Sequence, residues 1–295
     1  MDSRSYAIIT PAHNESEFLS KVVESIAGQK LRPEKWIIVD DRSTDNTFKI
    51  AQDASLKYDF IEVCRIKGDY ERSLGANVVR VFNEGLKKIG TEFEYIVKMD
   101  ADVILPSDYF LNLMLKFEAD ANLGISSGKL YVEHKGKWIL ERCPDFHAVG
   151  PCKMYKMKCF NDIGGLICIY GWDILDGVKA RMLGWRTGSF EEYPIKHLRM
   201  MGSARGIIRG QIGHGRGMYA IKAHPIFVLA RAVYRAFEPP FLLGLLIFAG
   251  YLLGTAMGDK RLEDPKLVTF LRKEQLGRLI GKKLSQEQIF LRRIK

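Results

Sequence analysis

Cysteine is scarce in this chain and shows no pairing pattern: five thiols in 295 residues, an odd number, suit a reducing compartment better than a disulfide framework. Cys143, Cys152, Cys159 and Cys168 lack the close pairs of a zinc ribbon, which leaves buried free thiols as the simpler reading. The first residues also lack a basic head, an apolar run and a small-residue cleavage site. Met1-Asp2-Ser3-Arg4-Ser5 leads straight into an apolar strand-like run, and the expectation is a protein of the cytosol or of the cytoplasmic face of a membrane. Acidic residues are missing from Lys196 to Phe237, and charge of either sign is missing from Pro239 to Gly258. Collagen-like and disordered classes are excluded by 47% hydrophobic content, ample for a core.

What is present begins with charge. A net +10 and a pI near 9.3 imply an acidic partner: nucleic acid, an anionic membrane or a phosphorylated substrate. Nucleic-acid binding calls for aromatics interleaved with Lys and Arg or a recognition motif, and neither stands out. No nucleic-acid partner is expected.

Along the chain, strand and helix alternate four times in roughly 100 residues, the pattern of a parallel sheet covered by helices. Tyr6 to Thr10, Trp36 to Val39, Ile61 to Cys64 and Tyr95 to Met99 read as strands. Between them, Phe18, Leu19, Val22, Val23 and Ile26 carry a helical stripe that Asn14 and Glu17 are placed to cap. Ser43-Thr44-Asp45 opens a helix to about Tyr58, and another runs from about Ser73 to Ile89. Ligands of such sheets sit at the carboxyl ends of the strands. Polar clusters fall there: Pro11 to Glu15, Asp40-Asp41, and Asp100 with Asp102. Adjacent acids at two strand ends repel one another unless a cation or hydrogen-bond donors offset the cost. Asp100 and Asp102, at i and i+2 past a buried strand, can converge on one hard divalent cation.

Beyond Asp102, Pro106-Ser107-Asp108 starts a helix with Phe110, Leu111, Met114, Leu115 and Phe117 on one face. Gly124 to Gly128 and Lys129 to Val132 read as strands, and Glu133 to Lys153 as an irregular surface insertion pinned by Trp138 and Phe146. Gly164 to Asp176 precedes a helix closed by Gly184, with Trp172-Asp173 at its start. A helix amino terminus favours an ionised carboxylate.

Four ordered motifs, Pro11-Ala12-His13-Asn14-Glu15, Val39-Asp40-Asp41-Arg42-Ser43-Thr44-Asp45-Asn46-Thr47, Gly75-Ala76-Asn77 and Met99-Asp100-Ala101-Asp102, resemble the family 2 glycosyltransferases of the GT-A fold. These transfer a sugar from a nucleotide-sugar with inversion. The family usually has Gly where this chain has Arg42, so the turn there is expected to differ in detail. The resemblance implies an α/β, Rossmann-like, mostly parallel sheet flanked by helices over residues 1–223, with a donor half to about 105 and an acceptor half from about 106. It implies that Pro11, His13, Glu15 and Asp41 line the base and ribose pocket, with Arg72 near the base or diphosphate. Asp102, with Asp100 and His197, would hold Mn2+ or Mg2+, and Asp100 would also contact the ribose or donor sugar; His214, in a glycine-rich segment, is the rival to His197. Family members usually carry Glu-Asp at the acceptor-activating helix start. Here the base carries over to Asp173, and Trp172 becomes a sugar-stacking platform.

The remainder, 224–295, reads as a basic and apolar helical membrane-associating region. Pro225 to Phe237 interleaves Phe227, Val228, Ala232 and Phe237 with Arg231 and Arg235, as an interfacial helix does. Pro239 to Gly258 meets the minimum length for one crossing, at about 20 residues. Its glycines, and basic residues on both flanks such as Lys260, Arg261 and Lys266, favour lying in or on one leaflet, with a single crossing left open. The tail from Asp259 is basic and helical in pattern, suited to anionic lipid. The function expected is transfer of a sugar, from a donor expected to be UDP-linked, to a hydroxyl of a lipid-linked or growing glycan. Two alternatives stay open: a polyprenyl-phosphate sugar synthase, and a GT-A-like binding protein without turnover.

Overall fold

The computed structural model describes residues 4–68, 75–90, 92–134, 136–199, 206–237 and 243–281. The chain divides into two units. One comprises Met1–Arg72, Asn77–Gly165 and Leu183–Arg199, the other Ser73–Ala76, Leu166–Met182 and Met200–Lys295.

The first unit is built on a nine-stranded sheet. In chain order its strands are β1 (Tyr6–Ala12), β2 (Lys35–Asp40), β3 (Ile61–Arg65), β4 (Tyr95–Met99), β5 (Val103–Ile104), β6 (Leu123–His134), β7 (Lys137–Leu140), β8 (Cys152–Lys156) and β9 (Arg186–His197). The spatial order is β3-β2-β1-β4-β8-β6-β9-β5, with β7 hairpinned onto β6. The first four strands are parallel, joined by α1 (Leu19–Ala27), α2 (Thr47–Lys57) and α3 (Ala76–Leu86). Beyond β4 the sheet is mixed, a correction to the mostly parallel expectation: β8 runs antiparallel to both β4 and β6, while β9 is parallel to β6. Two reversals restore the original direction, so β9 ends at the same edge as β1, β2 and β4.

The central strands are buried almost throughout because helices cover both faces of a parallel sheet. Trp36 fills the interior and donates its indole N–H to Thr10 Oγ1 at 2.9 Å. Gly85 lets α3 lie directly on the sheet, since a Cβ there would fall 2.6 Å from Ile9 Cγ2 and 2.9 Å from Val39 Cγ2. The stripe of α1 is buried at Leu19, Val22, Val23 and Ile26, as its spacing indicates. On α4 (Tyr109–Ala119) the inner face is Tyr109, Phe110, Leu113, Met114 and Phe117, whereas Leu115 points to solvent.

Several local expectations are revised. Asn14 does not cap α1: Phe18 occupies that position without a side-chain cap, and the Asn14 carboxamide oxygen accepts the Thr44 N–H at 2.8 Å instead. The two strands expected between Gly124 and Val132 are one strand, β6, with a bulge between Gly128 and Lys129. The expected insertion at Glu133 to Lys153 contributes β7 and the start of β8. Arg42 does adopt a positive φ, +56°, so the turn keeps the left-handed conformation that glycine accepts most readily.

The second unit is helical: α6 (Trp172–Met182), α7 (Ile207–Ala220), α8 (Pro225–Ala236), α9 (Leu243–Ala256) and α10 (Pro265–Leu279), while the short α5 (Met157–Asp162) belongs to the first. Its core gathers Leu175, Val178, Met218, Ile221, Val228, Ile247, Leu267 and Leu271. Asp264 caps α10 by accepting the Leu267 N–H at 3.0 Å, and Pro265 follows at the first helical position. Arg181 of α6 and Glu274 of α10 form a buried two-pronged ion pair, both bonds at 2.8 Å. Among the described residues no helix is long and apolar enough to cross a membrane.

Candidate active site

The loops after β1 and β2 are laced together. His13 Nδ1 lies 2.6 Å from the Asp41 carbonyl oxygen, the Asn14 N–H donates to Ser43 Oγ at 3.0 Å, and the Glu15 N–H donates to Thr47 Oγ1 at 2.7 Å. Asp45, on the same turn, accepts from the Ser16 and Thr47 N–H groups at 3.1 and 2.9 Å. These bonds hold Pro11, His13, Glu15 and Asp41 in one wall at the strand ends. The adjacent acids are separated in role: buried Asp40 is offset by Arg65, with Nε at 3.1 Å, and by the Ser43 N–H at 3.3 Å. Asp41, also buried, has Arg42 Nε at 3.4 Å. Arg72 lies outside the described residues.

The acids after β4 diverge in the same way. Buried Lys98 shares a face of β4 with Asp100, two residues on, and donates to its Oδ1; the same ammonium donates to the Gly150 carbonyl oxygen at 3.1 Å. Asp102 turns toward the end of β9. His197 Nε2 lies 3.2 Å from its Oδ1, both side chains are buried, and Arg199 Nε stands 4.0 Å from its Oδ2. The pairing follows from the sheet: Val103 of β5 is in register with His197, and the Leu198 N–H donates to the Asp102 carbonyl oxygen at 2.9 Å. Arg199 closes the cluster, donating to the two Glu15 carboxylate oxygens at 3.2 and 2.8 Å while lying over the Phe18 ring.

The electrostatics follow from this crowding. Burial and the charge of Asp102 raise the Glu15 carboxyl to about 7, against the pull of Arg199. Burial works against ionisation of Asp102, yet the hydrogen bond and charge of His197 outweigh it and the carboxyl is held below its ordinary value. Burial likewise disfavours the His197 cation, and the Asp102 hydrogen bond and neighbouring negative charges overcome it and raise that pKa.

No group of three or more His, Cys, Asp or Glu side chains among the described residues forms a ready metal site. Asp102 and His197 still fit a divalent cation that completes its shell with phosphate oxygens and water, a mode common for Mg2+. Their ligand atoms lie side by side, and buried His197 Nδ1 has no hydrogen-bond partner. Lys98 engages Asp100, which leaves Asp102 as the better ligand.

Asp173 and Trp172 lie in the second unit at the start of α6, Asp173 half-buried in the first turn and Trp172 buried. Tyr170 packs so tightly on Gly75 (φ +72°) that a Cβ there would lie 2.2 Å from the ring. His214 belongs to this unit also. Burial, with Arg231 and Arg235 nearby, lowers its pKa against the opposing charge of Asp173. Of the two histidines, His197 is the one beside Asp102. Lys98 and Arg199 escaped the sequence reading, although both stand two residues from a site residue and strand alternation puts such pairs on one face.

A sheet with carboxylates and a histidine gathered at its carboxyl-terminal edge is the architecture of the GT-A glycosyltransferases, and solved structures of that class share the fold. The mannosyltransferase PcManGT from Pyrobaculum calidifontis, in complex with GDP-Man and Mn2+, matches with TM-score 0.57 at 16% identity, over 97% of this chain and 78% of that one. S. aureus TarS 1-349 in complex with UDP matches with TM-score 0.53 at 14% identity, over 94% and 92%. The model of glycosyl transferase family 2 matches residues 7–164, and the chain belongs to that family. Poly-beta-1,6-N-acetyl-D-glucosamine synthase of Staphylococcus epidermidis is 27% identical over 129 residues, 44% of this chain and 29% of that protein. Dolichol-phosphate mannosyltransferase of Pyrococcus furiosus is 26% identical over 243 residues, 78% of this chain and 62% of that protein. The chain thus spans less than two thirds of the length of either relative.

Proposed function

We propose that this protein transfers a sugar from a nucleotide-diphosphate sugar, UDP-linked by preference, to a hydroxyl of a lipid-linked or growing glycan at a membrane surface, with inversion. The observation that carries the reading is the cluster Glu15, Arg199, Asp102 and His197, drawn from three strand ends onto one edge of the sheet. In it, Pro11, His13, Glu15 and Asp41 form the base and ribose pocket, and Asp100, fixed by Lys98, contacts the ribose or donor sugar. Asp102 and His197 would hold Mn2+ or Mg2+, which when bound neutralises charge growing on the diphosphate leaving group. The Mn2+ named in the PcManGT complex supports this assignment.

Asp173 takes the proton from the acceptor hydroxyl as the oxygen attacks the anomeric carbon on the face opposite the departing diphosphate. Trp172, the expected sugar-stacking platform, is buried at the start of α6 beside Asp173 in the sequence. Residues 1–223 carry this chemistry and 224–295 the membrane association. A thermal-shift panel of UDP- and GDP-sugars with and without Mn2+ tests the reading, since a ligand of the folded state raises its apparent stability. A metal-dependent shift with one donor class is expected. No shift with any donor would overturn the reading, and a donor that binds without release of its sugar in a separate hydrolysis assay would leave the binding-protein alternative.

A second reading, transfer to a polyprenyl phosphate, is supported by the likeness to dolichol-phosphate mannosyltransferase over 78% of this chain. A phosphate acceptor needs no strong base, so activity that survives Asp173→Asn would favour it.

A further inference from the structure

Helices α8 and α9 expose large apolar side chains on their outward faces. On α8, Phe227, Val228 and Ala232 are buried, and at about 100° per residue Arg231 and Arg235 fall on that same side, half-buried. The opposite side carries Ile226, Leu229, Val233 and Phe237, exposed by 60% at Ile226 and 76% at Phe237, with no charged side chain among them.

On α9 the inward positions are Gly244, Ile247, Gly250 and Gly254. A Cβ at Gly244 would lie 2.0 Å from the Ala232 carbonyl oxygen of α8, and one at Gly250 would lie 2.1 Å from the Ile212 carbonyl oxygen of α7. The outward positions are Leu245, Ala249, Leu252 and Leu253, followed just past the helix by Met257, with Leu245 54% and Met257 59% exposed.

In water a helix is held by burying its large apolar side chains and wetting its polar ones. On α9 three glycines and Ile247 are inside and leucine is outside, and on α8 two half-buried arginines share the inner side with Phe227 and Val228 while Ile226, Leu229, Val233 and Phe237 are outside. Helices bounded by lipid show such an arrangement, because small residues let backbones approach and large apolar ones meet acyl chains. At 14 residues α9 is about 21 Å long, short of the ~30 Å hydrocarbon core. The sequence from Lys196 to Phe237 holds no acid, and exposed Lys260 follows α9, so the charge beside this surface suits an anionic headgroup layer.

We infer that the outward faces of α8 and α9 seat the protein in one leaflet of an anionic lipid bilayer, lying in the interface without spanning it. The inference deepens the membrane-surface reading of the acceptor and is independent of Asp102, His197 and Asp173.

The test is flotation of the full chain with vesicles of phosphatidylcholine, alone or mixed with phosphatidylglycerol. The wild type is expected to float with the mixed vesicles. Leu229→Glu/Val233→Glu/Leu252→Glu should cut the floated fraction by about tenfold or more while keeping the wild-type melting temperature and donor hydrolysis. A wild type that floats with neither vesicle, or a folded triple variant that floats equally well, overturns the inference. A wild-type dimer that the variant converts to monomer, with no flotation by either, assigns the face to a second copy and overturns it too. Should the triple variant not fold, Leu229→Cys carrying a polarity-sensitive fluorophore decides: a blue shift on adding mixed vesicles supports the seat, and an unchanged spectrum refutes it. Donor hydrolysis in vesicle-free buffer reports on the catalytic reading separately.

Discussion

Arg199 and Glu15, 184 residues apart in sequence, form a two-pronged ion pair with bonds of 3.2 and 2.8 Å that joins the loop after β1 to the chain leaving β9. The same guanidinium stands 4.0 Å from Asp102, so one fixed cation serves two carboxylates that would otherwise repel.

Arg199→Met is therefore expected to leave Glu15 partly buried and without this partner. The pair is partly exposed and screened, so the loss should be modest, about 1 to 2 kcal/mol in denaturant unfolding. Donor-induced thermal shifts should shrink with it, and Arg199→Lys should restore stability only in part because an ammonium cannot reproduce the fork. Unchanged stability and unchanged donor binding in Arg199→Met would remove the residue from the site.

Asp173→Asn and Asp102→Ala should separate two roles. The first is expected to lower kcat by about 10²- to 10⁴-fold and leave the donor-induced thermal shift intact. The second should abolish the part of that shift that depends on Mn2+. Equal loss of donor binding in both variants would argue that Asp173 is not a base acting on the acceptor.

Asp45 supplies a pH signature away from the chemistry. Slight burial works against its charge, but hydrogen bonds from Thr47 Oγ1 at 2.5 Å, the Thr47 N–H and the Ser16 N–H outweigh it and hold the carboxyl at about 2. A depressed folded-state pKa contributes stability that is present above the ordinary value of 3.8 and lost as pH falls through about 2. Thr47→Val should move the Asp45 midpoint up toward 3.8 in an NMR titration, and a midpoint that stays near 2 would show that the threonine hydroxyl is not the cause.

Gly85 tests the packing of α3. Gly85→Ala places a methyl 2.6 Å from Ile9 Cγ2 and should destabilise by about 1 to 3 kcal/mol despite the better helix propensity of alanine. A more stable variant would mean that helix and sheet separate more easily than their spacing implies.

By itself the sequence determined the elements that depend on near neighbours. The runs at Tyr6, Trp36 and Tyr95 are apolar on both faces because they are interior parallel strands, and the stripe from Leu19 to Ile26 is buried as its spacing requires. The ordered acids at the strand ends were equally legible, since a strand's end is where its polar residues can leave the core.

Only the tertiary structure decided what those acids meet. Asn14, with the spacing of a helix cap, turned to Thr44 because the neighbouring loop offered a closer donor. His197 found Asp102, and Arg199 found Glu15, because two antiparallel steps through β8 bring β9 back to the edge where β4 ends, a register that no local pattern encodes. Pro225 to Phe237 read as an interfacial helix with Arg231 and Arg235 among its apolar residues, and the fold set both arginines half-buried on the side of Phe227. Periodicity gives the angle between side chains on a helix, whereas the side that is buried depends on where neighbouring helices pack.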